Sequence, residues 1–194
     1  MQLNIQKMLS FSELGVGENV LKAIQELGFI EPTPIQQQAI PVLLADETDF
    51  VGLAQTGTGK TAAFGLPILE LTDLRIPTTQ ALILAPTREL CVQIANDLAK
   101  YAKFNRAANI TAVYGGANIV QQIRQINKGS QIVVATPGRL LDLINRGAID
   151  MGEIRYLVLD EADEMLNMGF KDDIDEILSH LPDQRRVWLF SATM

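Results

Sequence analysis

Apolar residues in this chain gather into six short runs separated by longer amphipathic stretches. The runs are DFVGLA (49–54), QALILA (80–85), NITAVY (109–114), QIVVAT (131–136), RYLVLD (155–160) and RVWLFS (186–191). Each is short and aliphatic or β-branched, the pattern of a strand buried on both faces. Between the runs helical spacing takes over, as in Leu90, Ile94, Leu98 and Tyr101, or in Leu140, Leu141 and Ile144. Strand alternating with helix predicts an α/β fold, a mostly parallel sheet with helices on both faces. Ligands of such sheets sit beyond the carboxyl ends of the strands, and every polar cluster singled out below follows one of those ends. Two helices are expected before the first run. One covers about 17–27 and stops at Gly28; the other takes Thr33 as N-cap and Pro34 as first residue, and runs to about Leu44 with a bend at Pro41.

The fifth run leads straight into Asp160, Glu161, Asp163 and Glu164. Two like charges about 6 Å apart repel by roughly 3 kcal/mol at an effective dielectric near 20, so a positive partner is expected there. The first run supplies a candidate. It opens into Ala54-Gln55-Thr56-Gly57-Thr58-Gly59-Lys60-Thr61, followed by helix-forming residues. Gly57 and Gly59 let consecutive backbone amides face one anion, Lys60 reaches outer phosphates, and Thr61 offers a hydroxyl to Mg²⁺. This is a phosphate loop with Ala54 where the first glycine usually stands. Asp160, in the same sheet, is then expected near the metal, Glu161 is placed to orient or deprotonate a water, and Asp163 to bind neighbouring backbone or hydroxyls. Glu164 reads as a solvated acid in the first turn of a helix.

Bulk properties narrow the class. A chain of 194 residues with 47% hydrophobic and 20% charged residues supports one domain with a full core. The first ten residues lack the apolar core of a signal peptide and no run is long enough to cross a membrane. With a single cysteine, Cys91, this predicts a reducing, cytoplasmic setting. Cys91 reads as a helix-core residue and His180 as a surface residue near a helix end; Met165, Met168, Phe170 and Trp188 read as packing residues. The net charge of −7 argues against a nucleic-acid partner when taken alone, but its distribution is uneven. Residues 88–146 carry eight Lys or Arg and three acids, net +5, which leaves −12 elsewhere.

Asp160-Glu161-Ala162-Asp163 resembles the signature of the DEAD-box ATP-dependent RNA helicases, whose phosphate loop also takes the A-x-x-G-x-G-K-T form. The resemblance covers nearly the whole chain and implies the first of two RecA-like domains. The family's adenine-reading segment is matched by residues 28–36, with Phe29 and Gln36 inside it and Phe11 upstream. A glutamine amide offers the donor and acceptor that the N6 and N7 edge of adenine requires, and an aromatic ring covers the base. The RNA motifs are matched by Pro86-Thr87-Arg88, by Gly115-Gly116 and by Thr136-Pro137-Gly138-Arg139, residue types suited to a sugar–phosphate backbone. All lie in or beside the basic segment. Singly, Gly115-Gly116 is a turn and Arg88 an ion-pair residue; an ion-pair role is expected for Glu89. Ser191 and Thr193 match the motif that couples ATP state to strand separation, with hydroxyls able to pair with Asp163.

The resemblance implies ATP as substrate with Mg²⁺, RNA bound with little sequence preference, and a second RecA-like domain that supplies arginine fingers. Residues 10–45 would form the adenine-reading extension and 46–194 the phosphate-loop core of a single domain, with the second domain absent; the ending SATM suggests a fragment, expected to be monomeric and to bind nucleotide with little turnover. A nucleotide-dependent RNA or protein clamp without unwinding is the alternative reading. A phosphate-loop ATPase acting on DNA or protein fits the adenine-reading and RNA motifs less well.

Overall fold

A computed structural model of the chain describes residues 9–193, so most of the amino-terminal segment read above for a signal peptide lies outside the described residues. Six parallel strands form one sheet: β1 (Phe50–Leu53), β2 (Ala81–Leu84), β3 (Ile110–Val113), β4 (Ile132–Ala135), β5 (Tyr156–Asp160) and β6 (Arg186–Ser191), in the order β1-β6-β5-β2-β4-β3. Every one of the six apolar runs contains a strand. Alternate residues feed two cores, as the pleat requires. Ile83, Val134, Val158 and Phe190 point into one, together with residues of α1 (Glu18–Glu26), α2 (Pro34–Leu44), α3 (Lys60–Leu71) and α4 (Arg88–Tyr101). Leu82, Leu84, Val133, Leu157 and Leu159 point into the other, with residues of α5 (Ile119–Asn127), α6 (Pro137–Asn145), α7 (Ala162–Asn167) and α8 (Lys171–Ser179).

Burial on both faces holds for β2, β4 and β5, whose residues are all buried. It fails for β1, where Val51 is 58% and Leu53 51% exposed. This strand is an edge, and the α5–α8 layer reaches only to Val187 and Leu189 of β6, which it half buries. At the opposite edge, β3 buries every second residue only. Met168 likewise departs from its expected packing role. It caps the short helix α7 and is 47% exposed, whereas Met165 in that helix is fully buried. Trp188 and Cys91 are in the core, and His180 is exposed at the end of α8.

The amino-terminal helices follow their local signals. α1 ends where Gly28, at φ +83°, turns the chain, with the amide of Phe29 donating to the carbonyl of Ile24. α2 starts at Pro34 behind Thr33 and continues past Pro41 to Leu44. α2 packs on α3 and α1 on α4, which fixes the segment 28–36 against the loop that follows β1.

Candidate nucleotide and RNA site

The strand order sorts the loops at the carboxyl end of the sheet into two groups. β1, β6 and β5 are neighbours, and their ends carry the phosphate loop, Ser191 and Asp160. β2, β4 and β3 are the other three neighbours, and their ends lead into Pro86-Thr87-Arg88, Thr136-Pro137-Gly138-Arg139 and Gly115-Gly116.

On the first half, the loop 54–59 curls through Gly57 at φ +77° and Gly59 at φ +93°, and α3 begins at Lys60. The hydroxyl of Thr58 donates to the carbonyl of Gln55 across the loop (2.7 Å). Lys60 is buried, 3.8 Å from Asp160 Oδ1, and its Nζ has no hydrogen-bond partner among the described residues. A buried ammonium without a hydrogen-bond partner is costly, and it faces the place where a helix N-terminus collects anions. Asp160, at the end of β5, is also buried. Desolvation pushes its carboxyl up to about 6, aided by the charge of Glu161 and opposed by Lys60. One lysine therefore leaves the carboxylate undercompensated, which fits a site for a further cation. Thr61 lies in the same cleft, and no group of three or more His, Cys, Asp or Glu among the described residues is arranged to hold a metal. A Mg²⁺ ion here would need oxygens from a nucleotide to complete its shell.

Glu161 sits at φ +52° and ψ +50°, a left-handed conformation costing on the order of 1–3 kcal/mol for a residue with a side chain. Its amide donates to Asp160 Oδ1 (3.0 Å), and this backbone turn sets its side chain beside the cleft. Asp163 is joined to the segment after β6, with Oδ2 accepting from the amide (3.0 Å) and the hydroxyl (2.8 Å) of Thr193. Ser191 donates to the carbonyl of Thr193 (2.5 Å).

A cleft of about 350 Å³ connects these groups to Phe29 and Gln36. Gln36 is 3% exposed. Its Oε1 accepts from the amide of Thr33 (2.9 Å) and its Nε2 donates to the carbonyl of Gly59 (3.1 Å). One N–H and one lone pair of the amide remain, the complement an adenine edge needs. Phe29 lines the cleft, whereas Phe11 is buried behind it at a ring separation of 6.0 Å and is not part of the lining. The far wall was missed in the sequence. It is a stripe of α4, Leu90, Gln93, Asp97 and Tyr101, whose spacing is helical but whose polar members concealed a lining role.

On the second half, Arg88 is exposed at the start of α4, its guanidinium carbon 5.1 Å from the ring centre of Tyr114. Thr87 caps α4 by accepting from the amide of Leu90 (3.2 Å), Pro86 is buried, and Gly115 and Gly116 are exposed. Thr136 precedes α6, which opens with Pro137, Gly138 and Arg139. Glu89 lies exposed in the first turn of α4 and forms no ion pair among the described residues, contrary to its expected role.

Fold and site together define a RecA-like phosphate-loop nucleotide-binding domain with a second, arginine-bearing surface beside the nucleotide cleft. The family model for DEAD/DEAH box helicases matches residues 33–194, and the chain belongs to that family. It is 52% identical over 187 residues to the ATP-dependent RNA helicase CshA of Listeria monocytogenes, and 48% over 186 residues to the ATP-dependent RNA helicase DeaD of Haemophilus influenzae. These alignments cover 96% of this chain but only 36% and 30% of the relatives. The crystal structure of a DEAD box protein from Methanococcus jannaschii superposes with a TM-score of 0.91 at 46% identity, over 95% of this chain and 50% of that one.

Proposed function

We propose that the natural protein is an ATP-dependent RNA helicase and that this chain is its ATP-binding half. The observation that carries this reading is the buried Lys60 without a hydrogen-bond partner, facing Asp160 across the phosphate loop. The free donor and acceptor of Gln36 read the adenine edge, Phe29 covers the base, and the amides of residues 54–59 with Lys60 hold the phosphates. Thr61 and Asp160 would hold Mg²⁺, which supplies positive charge to the phosphate oxygens when bound. Glu161 accepts a proton from the attacking water. Asp163 with Thr193 and Ser191 relays the state of the nucleotide to the segment after β6. Arg88, Thr87, the Gly115-Gly116 turn and the start of α6, residues 136–139, grip the sugar–phosphate backbone of one RNA strand, with little sequence preference. Residues 10–45 serve as the adenine-reading extension of a single core, 46–194. A second RecA-like domain closes the site, and the setting is cytoplasmic; among the described residues no helix is long and apolar enough to cross a membrane.

Calorimetric titration of the chain with ADP tests the nucleotide half. Saturable binding is expected, weakened about 10- to 100-fold by Lys60→Ala through loss of a charge-assisted contact. Unchanged affinity in that variant would refute the phosphate role of Lys60. In the full-length protein, Glu161→Gln is expected to keep ATP binding and abolish turnover, and persisting turnover would exclude Glu161 as the base.

A further inference from the structure

The three backbone-facing loops are tied together by a residue outside all of them. Gln122, on α5, is buried although its helix lies at the surface of the sheet. Its Oε1 accepts from Arg139 Nη1 (2.8 Å), and its Nε2 donates to the carbonyl of Tyr114 (3.2 Å), the residue before Gly115-Gly116. Arg139 Nη1 is also held by the carbonyl of Ala117 (3.2 Å), just after that turn. The ring of Tyr114 in turn lies against Arg88, and Arg88 Nη1 approaches within 3.5 Å of the position a side chain on Gly116 would take. A single amide therefore fixes the orientation of Arg139, anchors the carbonyl at the start of the glycine turn, and through that residue reaches Arg88. Among the described residues only Nη1 of Arg139 is used, so Nε and Nη2 keep their donors for an outside acceptor.

We propose that Gln122 is a positioning residue for RNA: it holds the Arg139 fork and the Gly115-Gly116 turn in one fixed geometry before the strand arrives. The inference rests on the RNA reading of this surface. Ordering a long guanidinium side chain costs conformational freedom, and a buried amide that has already ordered it makes each phosphate contact stronger. Gln122 touches no RNA in this scheme; it acts through Arg139 and Tyr114.

The test measures binding of labelled single-stranded oligouridine to the full-length protein, with Mg²⁺ and a non-hydrolysable ATP analogue, across a series of salt concentrations. Arg88→Ala and Arg139→Ala report on the RNA reading itself, each expected to weaken binding and to lower the slope of log K against log[salt] by about 0.7. Gln122→Met keeps side-chain length without strong hydrogen bonding, and is expected to weaken binding about tenfold with a shallower slope. It should add little in the Arg139→Ala background. ADP affinity, set by the other half of the sheet, serves as the fold control and should not move. Gln122→Glu keeps the acceptor used by Arg139 and should restore the slope that Gln122→Met loses. If the arginine variants weaken binding but Gln122→Met leaves affinity and slope unchanged, Gln122 has no positioning role. A full additional loss in the Arg139→Ala background, or no recovery of slope in Gln122→Glu, would also overturn it. If neither arginine variant has an effect, the RNA reading fails and this inference with it.

Discussion

At Gly59 backbone curvature and side-chain crowding meet. The residue lies at φ +93°, and a Cβ there would come within 2.4 Å of Gln36 Nε2 and 3.1 Å of Thr33 Oγ1. The same closeness lets Gln36 donate to its carbonyl, so the Gln36 amide and the phosphate loop share one contact. Gly59→Ala is therefore expected to cost about 1–3 kcal/mol in urea unfolding, from left-handed strain and displacement of a buried amide, and to weaken ADP binding as well. A loss below about 0.5 kcal/mol would mean that the loop relaxes freely and that the contact organises nothing. Cys91 shows the opposite case of a reactive group made inert. Burial pushes its thiol up to about 12, and Sγ lies 3.1 Å from the carbonyl of Val134. Alkylation at neutral pH should accordingly follow unfolding of the chain, and rapid labelling of the folded protein would contradict the burial.

At the scale of elements, the start of α7 and the segment after β6 are joined through Asp163 and Thr193. Desolvation pushes the Asp163 carboxyl up, but the hydrogen bonds from Thr193, Ser191 and the amide of Glu164 together outweigh it and hold the group down at about 2. A depressed carboxyl contributes stability above its ordinary pKa, and that contribution is lost as pH falls through the folded value. The window is thus from about pH 4 down to about pH 2. A carboxyl-carbon NMR titration should show Asp163 still ionised at pH 3, and a midpoint near 4 would show that the tie to Thr193 does not persist in solution. Much of this level was legible in the sequence. The six strands follow from apolar runs of a length that fits strands better than helices, and Gly28 and Pro34 mark helix ends through backbone restrictions alone. The exposure of β1 was not legible, because a run such as FVGL reads the same at an edge as in the centre, and only strand order separates them. Nor was the α4 wall. Leu90 and Tyr101 were read only as positions of a helical spacing, and the polar residues between them acquire meaning only once α4 is seen across the cleft from Asp160. Phe11 and Phe29 were both placed in the nucleotide-binding set, and packing alone distinguishes the lining ring from the one behind it.

For the whole molecule, the order β1-β6-β5-β2-β4-β3 divides one edge of the sheet between two sets of loops, the phosphate loop with Ser191 and Asp160 over the first three strands and the loops of Arg88, Gly115-Gly116 and Arg139 over the last three. β5 and β2 meet at the middle, so Asp160 and Arg88 follow adjacent strands although 72 positions separate them in the chain. This arrangement also limits what the chain does by itself. The cleft is open on one side, and among the described residues Lys60 is its single cationic lining group. Lys60 already faces Asp160, while charge that develops on a transferring phosphoryl group calls for a further cation, which in phosphoryl-transfer enzymes raises turnover about 10³- to 10⁵-fold when an arginine supplies it. Among the described residues no arginine lines the cleft; Arg88 and Arg139 follow the ends of β2 and β4 in the other half of the edge. The chain is therefore expected to bind ADP and ATP but to hydrolyse ATP slowly, with little stimulation by single-stranded RNA, and the full-length protein to be faster by a factor in that range. Phosphate release measured side by side on both, at saturating ATP and RNA, decides the matter. Comparable RNA-stimulated rates would show that these 194 residues hold every group the reaction needs, and that the open side of the cleft is not where a catalytic cation enters.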